Sequence, residues 1–500
     1  MFHPSIQPAL KYGFPGVISL ALVLFIASNA SIGASVDLVI TGAGEQQVTS
    51  ANIDTFSLGS TIKTMYDAKV YLLMILILFC SGIWPYTKLL ALLYCWMSST
   101  RRLPPVKRER ILYLLDSLGK FSLIDAYVLV LMMVAFRYDF EIKNIGAINV
   151  YTTPIFGFYS FLFATILSLI SGHIMLFLHR RTLLSNIPVY SGRKESLSKH
   201  IFEDKHRRGL VKLTRRFRRL ITFAMMLSFI LICIGANLKC FHFTFNGVAG
   251  AALGQAKVRE FSLVSIGEHI PHSVQDPSNF GVHWIQTCYF FFALIMPLAC
   301  LFCIFILFVH PMTIKQQQKL FVIAEVTNAW SAIEVFVIAI MASLLEISPF
   351  SESMVGQHCK VLNQILSGWT GQYSDELQQC FGVKSSLDRS SAVLIIGVML
   401  NSILISILHR LAHHAMWERI EREDRPDAPE DEMKTVHECA KGHTFLSKLR
   451  KTRRIGNFIF DDVSFGPSSE CELNFENVLA NQEHDAQNFW SEWRKIVSVI

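Results

Sequence analysis

The chain has 500 residues, of which 52% are hydrophobic and 17% charged, with a formal net charge of +7. Soluble domains carry about a quarter charged residues, so the composition argues against a string of them. The apolar residues also gather in runs of about twenty, the length an α-helix needs to cross roughly 30 Å of hydrocarbon, which excludes a single large water-soluble core.

Eight such runs occur in chain order: Phe14 to Ser35, Val70 to Met97, Leu118 to Phe136, Ile155 to Leu178, Leu220 to Leu238, Trp284 to His310, Trp330 to Ile347 and Ser391 to Leu411. The first is long for a signal-peptide core, although Ser28-Asn29-Ala30-Ser31 after it resembles a small-residue cleavage site. The basic segments Arg101 to Arg110, Arg180 to Arg219, Pro311 to Lys319 and Arg410 to Arg425 alternate with mixed or acidic ones, Asp37 to Asp67, Arg137 to Pro154, Lys239 to His283 and Ser348 to Asp388. Because cytosolic loops hold the excess of Lys and Arg, this alternation predicts both termini in the cytosol. The basic excess sits beside the membrane, where anionic lipid headgroups attract it, and needs no nucleic acid to explain it. The expected fold class is an all-α polytopic membrane protein of about eight transmembrane helices.

The chain also repeats itself. Ser122-Leu-Ile-Asp125-Ala-Tyr-Val-Leu-Val130 returns as Ser331-Ala-Ile-Glu334-Val-Phe-Val-Ile-Ala339. Asn29 matches Asn237, Phe56-Ser57-Leu58 matches Phe261-Ser262-Leu263, Pro85 matches Pro297, and Leu178-His179-Arg180 matches Leu408-His409-Arg410. The expectation is two tandem four-helix units, 1–179 and 220–413, in parallel orientation because each holds an even number of spans. A basic cytosolic linker, 180–219, joins them, and a partly disordered tail, 414–500, comes last. The linker holds thirteen Lys and Arg against Glu195, Glu203 and Asp204, a topology signal that also grips anionic lipid.

Four of the eleven cysteines, Cys240, Cys288, Cys359 and Cys380, are expected on the non-cytosolic side. If that side is oxidising, Cys240 with Cys288 and Cys359 with Cys380 would form intraloop disulfides; four free thiols are the alternative. Cys300 and Cys303 form a Cys-x-x-Cys on an apolar helix, where packing explains them better than metal or redox chemistry.

Ser122-x-x-Asp125 and Ser331-x-x-Glu334 have the pattern of a capping box. A helix starting near Leu123 would have only about fourteen apolar residues before Arg137, too few to span. The preceding segments, Ile111 to Phe121 and Leu320 to Trp330, are apolar apart from Asp116, Gly119 and Lys120 in one copy and Glu325 and Asn328 in the other. Two readings compete: plain interfacial caps, or a helix broken at membrane depth in both copies, the kind of break that marks transporter sites.

Lys88 lies one turn after Pro85, about 15 Å deep at 1.5 Å per residue, and Asp125 lies at a comparable depth. An ion pair between them is the expected way to offset the cost of each charge. Cys300 takes the place of Lys88 in the second copy while Glu334 keeps the acid, so the halves would not be equivalent if Glu334 is buried without a cation. His173 and Asn401 are secondary candidates. No catalytic, P-loop or metal motif occurs, so neither enzyme activity nor a cofactor is expected.

Gly82-Ile-Trp-Pro85 through Lys88-Leu-Leu-Ala-Leu-Leu-Tyr94, and Leu118-Gly-Lys-Phe-Ser122-Leu-Ile-Asp125-Ala-Tyr-Val-Leu129, resemble the paraquat-inducible protein A family. The resemblance covers roughly Phe14 to His413 and is stronger in the first copy. It implies a polytopic protein that works with tunnel-forming partners of the MCE type to move lipids between membranes. It maps function onto Asn29, Pro85, Lys88, Ser122 and Asp125, with Asn237, Pro297, Ser331 and Glu334 as second-copy equivalents. The paired Cys-x-x-Cys zinc ribbons of bacterial members are missing, and a polar tail is added. The resulting expectation is a lipid-handling transporter or transporter subunit; a non-transporting membrane scaffold or receptor-associated protein is the alternative.

Overall fold

The computed structural model describes residues 8–42, 47–99, 102–135, 137–142, 146–184, 194, 196–197, 215–246, 257–345, 347–349 and 382–424. Among them, eight helical stretches are long and apolar enough to cross a membrane, and the protein is an integral membrane protein. The first span is helix α1 (Pro8–Ala30), followed by strands β1 (Ala34–Gly42) and β2 (Gln47–Phe56). Helix α2 (Leu58–Asp67) opens on a true capping box: Ser57 Oγ accepts from the Ser60 N–H, and Ser60 Oγ accepts from the Ser57 N–H.

The second span changes its winding midway. Helix α3 (Tyr71–Ile77) passes through a π-helical segment, Leu78–Ile83, into α4 (Trp84–Met97). Pro85 explains the change, since it has no N–H and its ring collides with the carbonyl four residues back in a regular helix. Widening the spacing to five residues lets the Trp84 N–H reach the Phe79 carbonyl instead. The third span is broken: α5 (Pro105–Ser117), a 3₁₀ segment Gly119–Leu123, then α6 (Ile124–Ala135). Strands β3 (Tyr138–Ile142) and β4 (Gly146–Pro154) precede the fourth span, α7 (Phe156–Leu184).

The second half runs through the same devices in the same order. Helix α8 (Arg215–Asn237) leads to β5 (Phe241–Asn246) and β6 (Val258–Phe261). Then comes α9 (Leu263–His269), capped reciprocally by Ser262 and Ser265. Helix α10 (Phe280–Phe290) passes through a π segment, Phe291–Ile295, into α11 (Met296–Val309), with Pro297 where the first half has Pro85. Helix α12 (Ile314–Trp330) breaks at Ser331 and Ala332 before α13 (333–345). After β7 (Gly382–Leu387), α14 (Ser391–Asp424) continues past His413, so the helix extends into the stretch expected to be tail.

Two small sheets, ordered β2-β1-β4-β3 and β6-β5-β7, occupy loops in which no strands were expected. Their cause is local: in β5, Phe241, Phe243 and Phe245 are buried while the residues between them are partly exposed, the two-residue period of a half-buried strand. Both sheets lie at one end of the molecule. The Arg259 guanidinium donates to the Arg137 carbonyl at 2.6 Å, and Arg137 donates to the His272 carbonyl. One buried apolar cluster runs through both halves; in it the Tyr127 ring packs edge-on against Tyr289 and Phe336, at 6.0 and 5.5 Å between centroids.

The Cys240–Cys288 disulfide is not formed; both residues are buried free thiols. Cys288 belongs to α10 inside the membrane span rather than to a loop. Cys240 donates to the Leu238 carbonyl at 3.3 Å, and burial pushes its thiol up to about 11, which keeps it protonated and unreactive at neutral pH. Cys359 and Cys380 lie outside the described residues.

The first and last spans of each half pack against one another, α1 on α7 and α8 on α14. Glycines permit the second contact: a Cβ on Gly235 would lie 2.7 Å from the Leu394 Cα, and one on Gly397 would lie 2.9 Å from the Leu231 Cβ. Gly235→Val is therefore expected to push α8 from α14 and lose about 1–3 kcal/mol of stability, the usual range for overpacking. Gly59→Ala, which meets nothing within 4 Å, should be tolerated. Thermal unfolding of the two variants in the same detergent checks the contrast.

Candidate functional site at the seam between the halves

The broken third spans bring charge to membrane depth. Where a helix stops inside hydrocarbon, its last carbonyls and the next amides need partners. At the first break, the Trp84 indole N–H donates to the Leu118 carbonyl at 3.1 Å, which gives the tryptophan of Gly-Ile-Trp-Pro a structural task. At the second, the Ala332 N–H donates to the Phe292 carbonyl at 3.0 Å. That carbonyl is available because its five-residue donor would be Pro297, which has no N–H.

Lys88 is 1% exposed and its ammonium makes no hydrogen bond among the described residues. It lies against Gly119, where an added Cβ would collide with Nζ. Its electrostatic partner is Asp116. Lys88 Cε and Asp116 Oδ1 both border the open face of Gly172, at 3.9 and 3.0 Å from the place its Cβ would take. Asp116 Oδ2 in turn lies 3.0 Å from His173 Nδ1. The His173 ring stacks on Trp330, the last residue of α12, with centroids 6.3 Å apart.

A second group crosses the seam beside it. Lys120, on the 3₁₀ segment of the first half, forms an ion pair with Glu334 of the second at 3.0 Å. The other Glu334 oxygen accepts from Ser402 Oγ on α14 at 2.7 Å. Both partners of the ion pair are largely buried, so the attraction is little screened, and each group also offsets the other's desolvation.

These contacts correct three expectations. Lys88 and Asp125 do not pair: Asp125 has neither hydrogen bond nor ion pair among the described residues. Counting residues fixes depth along a helix but not the direction a side chain faces, and the 3₁₀ segment between Asp116 and Asp125 changes that direction. Glu334 does not lack a cation, because Lys120 reaches it from the other copy. The serines do not form capping boxes: among the described residues Ser331 Oγ is buried without a hydrogen-bond partner, and no hydrogen bond from Ser122 caps the next helix. The helix breaks they accompany are present in both halves.

The remaining candidates are dispersed. Asn29 donates to Tyr86 Oη at 2.8 Å, tying α1 to α4, whereas Asn237 only reaches back to the Cys233 carbonyl at 2.9 Å within its own helix. Asn401 is fully buried with both amide atoms unsatisfied among the described residues. Cys300, at the position of Lys88, donates to the Ala324 carbonyl at 3.5 Å. Sequence reasoning singled out Lys88, Glu334 and His173 but assigned no partner role to Asp116, Lys120, Trp330 or Ser402. Asp116 and Lys120 were visible as charges interrupting an apolar run; Trp330 and Ser402 carried no signal.

A family model described as paraquat-inducible protein A matches the chain twice, over residues 47–179 and 264–360. Both matched stretches are similar to that family. Each matched stretch holds a π-wound second span with its proline and a broken third span, so the family signature coincides with the elements that build the seam. No curated protein and no solved structure matches the chain.

The seam supports a double-mutant cycle. Lys120→Met should strand the Glu334 carboxylate and cost about 3–5 kcal/mol, the usual loss when one member of a buried pair is removed. Lys120→Met with Glu334→Gln should recover most of it. Lys88→Met with Asp125→Asn should be additive within about 0.5 kcal/mol, as for residues that share no contact. Denaturation in mixed micelles of each single and double variant measures both cycles.

Proposed function

We propose that this protein handles lipids, as a transporter or the membrane subunit of one, and that the charges buried at the seam are its working part. The supporting observation is the meeting, at two helix breaks, of Lys88, Asp116, His173, Lys120 and Glu334 inside membrane spans. Charges at that depth cost several kcal/mol and are retained mainly where a substrate or ion path uses them. The breaks provide flexible joints at the same level, and the pseudo-repeat supplies two bodies that can move about them. In this reading membrane lipids are the substrate, and a tunnel-forming partner of the MCE type receives or supplies them, as the family resemblance implies. No enzymatic step and no cofactor are needed. The basic loops support an orientation with both termini cytosolic and the two sheets on the opposite side.

The described state is closed around the charges. Lys88 and Asp116 are sealed, at 1% and 4% exposure. Transport then requires the seam to open, whereas a non-transporting scaffold would keep it shut. That closure is the specific observation favouring the scaffold reading.

Two measurements separate the readings. Full-length protein purified in mild detergent should carry phospholipid detectable by mass spectrometry, and Lys88→Met should lose most of it while keeping its elution profile; equal lipid content in both would remove the seam from lipid binding. For orientation, in sealed membrane vesicles of known sidedness a single cysteine at position 107 should react with an impermeant thiol reagent from the cytosolic face, and one at position 276 only from the opposite face. The reverse pattern would overturn the topology.

A further inference from the structure

The contact between His173 and Trp330 joins one half's buried charges to the helix break of the other. His173 sits on α7, within a membrane span. The elements packed around it bring Lys88 from α4, Asp116 from α5, Lys120 from the 3₁₀ segment, and Glu325 with Trp330 from α12. Helix α1 brings no charged side chain between Gly13 and Ala30. Lys120 is engaged by Glu334, so the acid that acts directly on the imidazole is Asp116, 3.0 Å from Nδ1.

This arrangement fixes the two ring nitrogens differently. Asp116 Oδ2 accepts from the protonated Nδ1, which orients the ring and leaves the lone pair of the neutral imidazole on Nε2. Nε2 is buried and has no hydrogen-bond partner among the described residues, and the same is true of Asp116 Oδ1. A proton arriving from water adds to Nε2 and makes an imidazolium that Asp116 stabilises; its departure restores the neutral ring, with no other bond made or broken. The added charge lies beside the Trp330 ring, whose centroid is 6.3 Å from that of the imidazole. Trp330 is one residue before the break at Ser331 and Ala332, so the charge acts on the joint between α12 and α13.

We propose that His173 is a proton-binding site in the membrane interior, and that Trp330 reads its charge across the seam and passes it to the break in the second half. The inference rests on the lipid-handling reading for its purpose, since a bound proton would supply the drive for opening the seam, but it is tested without any lipid movement.

Protonated imidazole quenches an indole stacked upon it, so Trp330 is its own probe. The full chain is reconstituted in nanodiscs, and emission is followed between about pH 5 and 8, the window in which histidine exchanges its proton. The contribution of Trp330 is taken as the difference between the native chain and Trp330→Phe. It should fall severalfold on acidification along a single-proton curve. Asp116→Asn should weaken the response, because the carboxylate 3.0 Å from Nδ1 is lost, and His173→Gln should abolish it. Nitrogen-15 histidine spectra of the native chain should show Nε2 of one buried histidine titrating over the same range, which needs no variant to fold. A Trp330 contribution independent of pH, a response indifferent to Asp116→Asn, or no titrating buried histidine overturns the proposal. Titration in a protein that carries no lipid would leave the proton site standing and remove the lipid reading instead.

Discussion

Hydrocarbon offers a peptide group no hydrogen-bond partner, so every irregular backbone segment within a membrane must be completed by the protein itself. Pro85 and Pro297 create that problem in the second span of each half, and the helix breaks create it again in the third. The solutions interlock. The π winding before each proline absorbs the missing amide. In the second half, the carbonyl freed by Pro297 takes the amide freed at Ala332. In the first, a neighbouring indole takes the carbonyl at Leu118. Second and third spans therefore form one unit in each half, and the charged residues are mounted on it.

The two halves share a plan but not a charge set. Aligned on Ser122 and Ser331, Lys120 corresponds to Ala329, and aligned on the prolines, Lys88 corresponds to Cys300. The first half pairs Lys88 and His173 with its own Asp116, while its Lys120 and His173 also meet Glu334 and Trp330 of the second. The Lys120–Glu334 pair is complete only when both halves are present. The ion pair and the stacked ring lie where the halves touch, so a change of charge on one side is felt by the other without passing through solvent.

Much of this was legible in the sequence. Span number came from run length, the duplication from repeated words, and the breaks from the shortfall of apolar residues before Arg137. The partners were not legible, because depth along a helix can be counted while facing depends on winding, and both the π and the 3₁₀ segments rotate the turns C-terminal to them. The span from Lys107 to Ala135 also begins earlier than the apolar run at Leu118 suggested, since α5 carries Asp116 inward among its leucines. The sheets were hidden in plain alternation, as in Phe241-His242-Phe243-Thr244-Phe245, which short polar loops make easy to overlook.

The antiparallel pairing of β1 with β4, from Ala34 opposite Pro154 to Gly42 opposite Gly146, joins the chain just after the first span to the chain just before the fourth. β5 and β7 do the same in the second half. With α1 lying on α7 and α8 on α14, the path through each half returns beside its own starting point. Such a module is closed like a ring with neighbouring entrance and exit. It can be copied in series, or spliced between other segments, without stretching what flanks it. Tandem duplication is sterically inexpensive for this architecture, and the two copies were then free to divide the charges between them.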